Sequence, residues 1–292
     1  MDLSRENFQG SLLMIAAMAG FALEDMFVKA MGERLPVGEV LMLLGVGGAS
    51  LFGAVALWRR DRLISRDLLA GSVLLRNGGE ILGTVCFVAA VIFTPLAQAS
   101  AILQATPLAV TLGAALFFGE AVGWRRWSAI WVGFLGVLIV IRPGTEGFSL
   151  LSLLPVVAVV GLAARDLATR KVPRAITSMQ LATYGFGVVV PAGAVIQALS
   201  PAPLLMPSMA EWAMIAGALV VGPLGYYALI LAMRIGEVSV ITPFRYSRLI
   251  FAVIIGWSVF AEPPDHFTLL GGAVIVGSGL YTLWRQARLR RR

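Results

Sequence analysis

The chain has 292 residues, of which 59% are hydrophobic and only 13% charged, with a mean hydropathy of +0.87 and a net charge of +7. So few charges exclude a soluble globular domain, in which about 25% of residues are charged. A single cysteine and a single histidine exclude a disulfide framework, bis-imidazole haem ligation, a histidine-rich metal centre and a Ser/His protease site.

A helix crossing a hydrocarbon layer of roughly 30 Å needs about 20 mostly apolar residues. Ten such stretches follow one another, near 9–31, 38–58, 68–93, 95–118, 126–142, 148–168, 176–199, 210–233, 237–260 and 267–285. Their connections are too short for a soluble domain. Strands of a membrane barrel alternate over about 10 residues, which these do not. The expected class is therefore an all-α integral membrane protein of ten transmembrane helices.

The first span follows Met1–Phe8, with Arg5 as its only base. It has no small-residue cleavage site and reads as a retained span. Near its end stands GFALEDMFVK (20–29). Asp25 and Lys29, four apart with the acid first, read as a snorkelling interfacial pair that ends the helix. Glu24 has no such partner.

The third span brings Arg76, Asn77 and Glu80 to midplane depth. Arg76 and Glu80 share a helical face, which leaves two readings open. They form a neutral structural pair, or they face substrate or protons in a wet cavity. Cys86, farther along, packs as a small hydrophobe. In the fourth span, PLAQASAILQATPLAVTLGAALFFGE (95–120), Ser100, Gln104 and Thr111 make one polar stripe. Pro107 bends that helix and frees a carbonyl near Leu103 and Gln104.

The sixth span carries GLAARDLATR (161–170), with Asp166 and Arg170 again four apart and Arg165 in the position of Glu24. Tyr184 lies in the seventh span. In the eighth, Gly222, Pro223 and Gly225 precede Tyr226 and Tyr227, a kink beside two phenols. The ninth span contains TPFRYSRL (242–249), with Arg245 and Arg248 on one face beside Tyr246. Two like charges at depth need a distant acid, a ligand carboxylate or water. The basic end of the chain, RQARLRRR, reads as a topological anchor at anionic lipid.

Counted from a cytoplasmic N-terminus, seventeen Lys and Arg residues fall in inner connections and two, Arg34 and Arg142, in outer ones. This asymmetry puts both termini in the cytoplasm and accounts for the net charge without nucleic acid. No Gly-rich phosphate loop followed by Lys occurs, so an ATP-driven pump has no engine in this chain.

Gly20, Ala22 and Asp25 recur as Gly161, Ala163 and Asp166 at an offset of 141, and FFGE (117–120) recurs as VFAE (259–262) at 142. The chain reads as two homologous five-span halves, 1–143 and 144–292. Because five is odd, the second half runs inverted, an architecture of secondary transporters.

These two fives, the Ala/Ser-rich fourth span with Pro107, LFFGE (116–120), the following WVGFLGVLIVI and their second copies resemble the drug/metabolite transporter superfamily, in its ten-span bacterial branch with paired EamA domains. The second copy departs from the pattern in having Leu249 where Pro107 would recur. The resemblance is greatest to exporters of aromatic and other amino acids. It implies alternating access across the cell inner membrane, a small-molecule substrate, a lipid bilayer as surroundings, no cofactor, no catalysis and function as a monomer. The expected substrate-binding set is Arg76, Asn77, Glu80, Gln104, Tyr226, Tyr227, Arg245, Tyr246 and Arg248. In it an arginine takes the carboxylate, Glu80 or Gln104 the amine, and Tyr184, Tyr226, Tyr227 and Trp257 the apolar body. A multidrug or other metabolite exporter, or a membrane enzyme or accessory protein, is the alternative.

Overall fold

A computed structural model describes residues 3–64, 66–120, 122–145, 148–173, 175–235 and 238–290. Among the bases counted above, Arg174, Arg291 and Arg292 lie outside the described residues, as do the side chains of Arg66, Arg234, Arg288 and Arg290. The apolar stretches fold as helices, and no strand occurs among the described residues. The helices are α1 (Leu3–Gly32), α2 (Val37–Trp58), α3 (Gly71–Phe93), α4 (Leu96–Leu103), α5 (Thr106–Phe118) and α6 (Trp124–Ile141). They continue with α7 (Leu154–Thr169), α8 (Ser178–Leu199), α9 (Met209–Ile235), α10 (Val238–Ile241), α11 (Ser247–Phe260) and α12 (His266–Arg290). Nine helical segments among the described residues are long and apolar enough to cross a membrane, with α4 and α5 counted as one.

The stretch 237–260 is not among those nine, and its helix is broken. Between α10 and α11 the residues Thr242–Tyr246 form a 3-10 turn. The fourth stretch breaks too, at Gln104 and Ala105. Pro107 has no N–H to offer the carbonyl of Leu103, and the Thr106 hydroxyl donates to that oxygen instead, at 2.6 Å. At an offset of 142 the two breaks coincide, although the second uses Pro243 rather than a proline at 249. Both broken spans also end alike. Gly119 (φ 64°) and Ala261 (φ 53°) adopt the left-handed conformation, and the following Glu120 and Glu262 donate their N–H groups to Ala114 O and Gly256 O. The two interrupted stretches occupy the same place in the two repeats.

Four helix pairs dominate the packing: α1 with α9, α2 with α8, α3 with α7, and α6 with α12. Each joins the first half of the chain to the second. Without a hydrophobic force between helices in lipid, close approach of small residues supplies the attraction. Gly20 lies against Val221 and Gly225, Gly38 against Gly193 and Gln197, Gly79 against Gly161 and Arg165, and Gly136 against Gly271 and Ile275. The contacts run antiparallel in every pair: Ala17 meets Gly225 while Phe27 meets Gly217, and Gly38 meets Gln197 while Gly53 meets Thr183. α4 is the most enclosed element, with every residue from Leu96 to Leu103 buried, and it packs on α11, α7 and α12. Of α5, its continuation, only Leu108, Gly113 and Ala114 are buried.

Candidate functional site

The α3–α7 interface gathers the first group of charges. Arg76 pairs with Glu80 at 2.9 Å, and one of its guanidinium nitrogens donates to Asn77 Oδ1 at 3.0 Å. Glu80 also accepts from Arg165 of α7 at 3.2 Å and from Thr84 at 3.1 Å. Arg165 in turn pairs with Asp166 at 2.8 Å. Two bases and two acids thus balance inside an apolar bundle, where an unpaired charge is strongly disfavoured. Arg76 is buried, and its Nε has no hydrogen-bond partner among the described residues. Tyr226 of α9 lies within electrostatic reach of it.

The second group joins α1 to α11. Arg248 grips Asp25 through Nη2 at 2.7 and 2.9 Å and Nε at 3.2 Å. Its guanidinium also sits 5.5 Å from the ring centre of Phe21 and 5.4 Å from that of Phe87, cation–π distances that favour the charge in a dry setting. The acid that Arg248 needs is therefore supplied from 223 residues away. Asp25 consequently does not pair with Lys29, nor Asp166 with Arg170, and the two snorkelling pairs expected from the sequence do not form.

Arg245 differs from all of these. It is exposed, and its guanidinium makes no hydrogen bond or ion pair to the described residues. Asp166, Arg248 and Arg165 all act on it electrostatically, so it stands between the two charge groups. Gln104, at the break of the fourth span, donates its amide to the carbonyls of Arg245 at 3.5 Å and Tyr246 at 3.3 Å. The two helix breaks therefore meet, and backbone groups released by one are held by a side chain of the other.

Not every expected residue joins this region. Tyr227 is exposed on the same stripe of α9 as Val220 and Leu224, and Trp257 is likewise exposed on α11. Tyr246 is buried, with its hydroxyl turned against Gly279 of α12, so its ring packs between helices while its carbonyl serves Gln104. The Tyr184 hydroxyl is buried without a partner among the described residues.

Two of the ion pairs that were not anticipated correspond to one another. Lys29 binds Glu262 at 2.9 Å and donates to Val91 O at 3.2 Å and Thr94 O at 2.8 Å. Arg170 binds Glu120 at 2.8 Å. Under the repeat offsets Lys29 maps to Arg170 and Glu262 to Glu120, so these are one contact made twice, at opposite ends of the bundle. The signal was available: all four residues belong to the duplicated segments, and only their pairing across halves was hidden. The two differ in setting. The side chains of Lys29 and Glu262 are 7% and 28% exposed, those of Arg170 and Glu120 49% and 53%.

Comparison with known proteins gives this arrangement a family. The sequence profile of the EamA-like transporter family matches residues 8–142 and again 149–284. The chain belongs to that family. It carries two EamA repeats and is a multi-pass protein of the cell inner membrane. Among similar EamA proteins, a riboflavin transporter of Vibrio cholerae is 28% identical over 100% of this chain and 98% of its own length. A pseudopaline exporter of Pseudomonas aeruginosa is 26% identical over 91% of this chain and 93% of its own. An S-adenosylmethionine uptake transporter of Rickettsia felis is 26% identical over 66% and 65%. A solved crystal structure covers 98% of this chain and 99% of its own with a TM-score of 0.60 at 19% identity, a likeness of fold alone. These relatives are transporters rather than enzymes.

Proposed function

We propose that this EamA protein is a secondary transporter that exports small amphipathic metabolites, aromatic and some neutral amino acids foremost, by alternating access. The observation that carries the reading is Arg245, an exposed residue whose guanidinium has no hydrogen bond or ion pair among the described residues, set between two groups whose other charges are matched. A substrate carboxylate answers that cation with a planar, two-toothed contact. Tyr226 offers an aromatic neighbour. The amine would meet Glu80 or Gln104, both already beside this region.

For the cycle, we infer ten spans in two inverted repeats that meet at 143/144, with both termini cytoplasmic and the chain active as a monomer. The antiparallel packing of α2 on α8 and of α6 on α12 supports the inversion, since each pairs a span with its own repeat mate. The twin ion pairs support the rocking. The pair around Lys29 and the fully buried α4 is the more enclosed, that around Arg170 and α5 the more exposed, and exchanging the repeats would exchange the two settings.

A second reading is favoured by the full-length relatives named riboflavin transporters: a flavin would present its carbonyl edge to Arg245 and its rings to Tyr226. Purified protein in proteoliposomes, given labelled phenylalanine, tryptophan and riboflavin in parallel, separates the two. Aromatic amino-acid exchange above that of empty liposomes upholds the first reading, and flux of riboflavin alone replaces it. Cysteine labels placed at Ser208 and His266 should react from outside the cell; reaction from the cytoplasm alone would overturn the orientation.

A further inference from the structure

Exchanging the repeats turns the α3–α7 interface into the α1–α9 interface. The approach of Gly161 to Gly79 and Gly83 becomes that of Gly20 to Val221 and Gly225. This contact register, an offset of 141 for one helix and 142 for the other, carries Arg165 onto Glu24 and Glu80 onto Gly222. In one interface Arg165 and Glu80 pair at 3.2 Å. In the other, a carboxylate replaces the guanidinium, and glycine replaces its partner.

Gly222 faces Glu24 directly, since a Cβ built there would lie 2.8 Å from both carboxylate oxygens. At Gly222, α9 therefore gives Glu24 room and offers no counter-charge. Glu24 has no ion pair or hydrogen bond among the described residues. The charges acting on it are Asp25, its neighbour on α1, and Arg248 of α11, whose guanidinium is held by Asp25. Among the described side chains, the other charged groups on elements packed against α1 are engaged elsewhere or act elsewhere, Glu211 of α9 with Arg34. Arg76 and Glu80 of α3 bind one another, Glu39 of α2 accepts from the Leu205 N–H, and Arg245 acts with Asp166 and Arg165. Tyr226 stands one turn beyond Gly222 on α9.

An ionised carboxylate in such a place is disfavoured, whereas the neutral acid is tolerated; ionisation needs water or a cation at the oxygens. Motion of α1 against α9 is what would admit them. We propose that Glu24 is the proton-carrying site of the transport cycle. It holds a proton on its carboxylate while α1 and α9 are closed on Gly222 and releases it to water when they part, so that a proton gradient drives the substrate. This rests on the transporter reading but not on the choice of substrate.

The test compares the parent protein with Glu24→Gln and Glu24→Asp in proteoliposomes. The parent and Glu24→Asp should accumulate substrate when a pH gradient is imposed. Glu24→Gln should lose at least tenfold of that accumulation yet keep exchange of labelled for unlabelled substrate without a gradient. Gradient-driven accumulation by Glu24→Gln equal to the parent's overturns the proposal, as does loss of both activities in both variants, which would mark Glu24 as structural. A second readout needs no substrate. Infrared spectra of the parent taken across a pH titration should contain a protonated-carboxyl band that is missing in Glu24→Gln. An identical band in both overturns the assignment, whichever metabolite the transporter carries.

Discussion

Arg245 and Arg248 sit three residues apart, yet their replacement should have opposite consequences. Arg248 closes a buried pair in which Asp25 has a side-chain exposure of 7% and receives two contacts within 2.9 Å. Removing one member of such a pair strands the other, at about 3–5 kcal/mol, against a total stability of about 5–15 kcal/mol. Arg248→Ala should therefore unfold at markedly lower temperature in detergent. Arg248→Lys keeps the charge but loses the fork, at about 1.5–3 kcal/mol for one charge-assisted hydrogen bond. Asp25→Asn combined with Arg248→Gln should cost less than the two single changes added together, because no charge is stranded. Arg245 has no partner to strand, so Arg245→Gln should shift stability by no more than about 0.5 kcal/mol. Its loss should appear in transport instead, where a missing contact of about 1.5–3 kcal/mol lowers the specificity constant about 10- to 150-fold. Thermal unfolding of the purified variants and initial rates in proteoliposomes read the two quantities separately. If Arg245→Gln were as unstable as Arg248→Ala, or if Arg245→Gln transported like the parent, the division between a structural and an open arginine would be wrong.

Two neighbouring glycines give a second test. A Cβ at Gly79 would lie 2.7 Å from Arg165 N and 2.8 Å from Gly161 O, both backbone, whereas a Cβ at Gly78 meets nothing within 4 Å. Gly79→Ala should thus cost about 1–3 kcal/mol by overpacking, and Gly78→Ala should be neutral or stabilising by up to about 1 kcal/mol; equal thermal stabilities would refute the packing argument. The third concerns acid. Burial alone would raise the Asp265 carboxyl, but hydrogen bonds from the Thr268 N–H and hydroxyl and the neighbouring Arg142 outweigh it and hold the group below the ordinary carboxylate range. Its contribution is therefore complete above the unfolded value, about 3.9, and disappears as pH falls through the lower folded value. Asp265→Asn should be the less stable protein at pH 7 and should lose less on acidification; parallel pH profiles would exclude the linkage.

The spans were legible because a bilayer demands long apolar runs and leaves them little room to shift. The repeat was legible because GFALEDMFVK and FFGE kept their spacing. What the sequence hid was everything that depends on who faces whom across helices. Arg248 seemed to lack an acid because Asp25 is 223 positions away, and the i,i+4 spacing of Asp25 and Lys29 pointed to a local pair that stronger partners across the bundle replace. Tyr227 and Tyr226 are adjacent in sequence, but 100° of helical rotation separates an exposed ring from one near Arg76. The break in the ninth span was obscured for a different reason. Expectation fixed on a proline at 249, while Pro243 supplies the interruption from within a 3-10 turn.

The comparison of the repeats also sorts structure from chemistry. Features present twice serve both ends of the molecule equally: the glycine contacts of α1–α9 and α3–α7, the left-handed caps at Gly119 and Ala261, and the Lys29–Glu262 and Arg170–Glu120 pairs. The proposed rocking between two mirror-like states would need such duplicated joints, because each end must be able to adopt the packing of the other. A substrate and a driving ion impose no such symmetry. On the proposals above they would meet the protein at single places, and the copies do diverge in charge: Arg245 stands opposite Leu103, Arg248 opposite Thr106, Arg76 opposite Ala218, and Glu24 with Gly222 opposite Arg165 with Glu80. All these departures are changes of charge within apolar helices, the substitutions a membrane interior tolerates least without a use. The α3–α7 interface keeps its charges paired around Glu80; on the proposals above, the positions left unmatched, Arg245 and Glu24, are those at which an anion and a proton would bind.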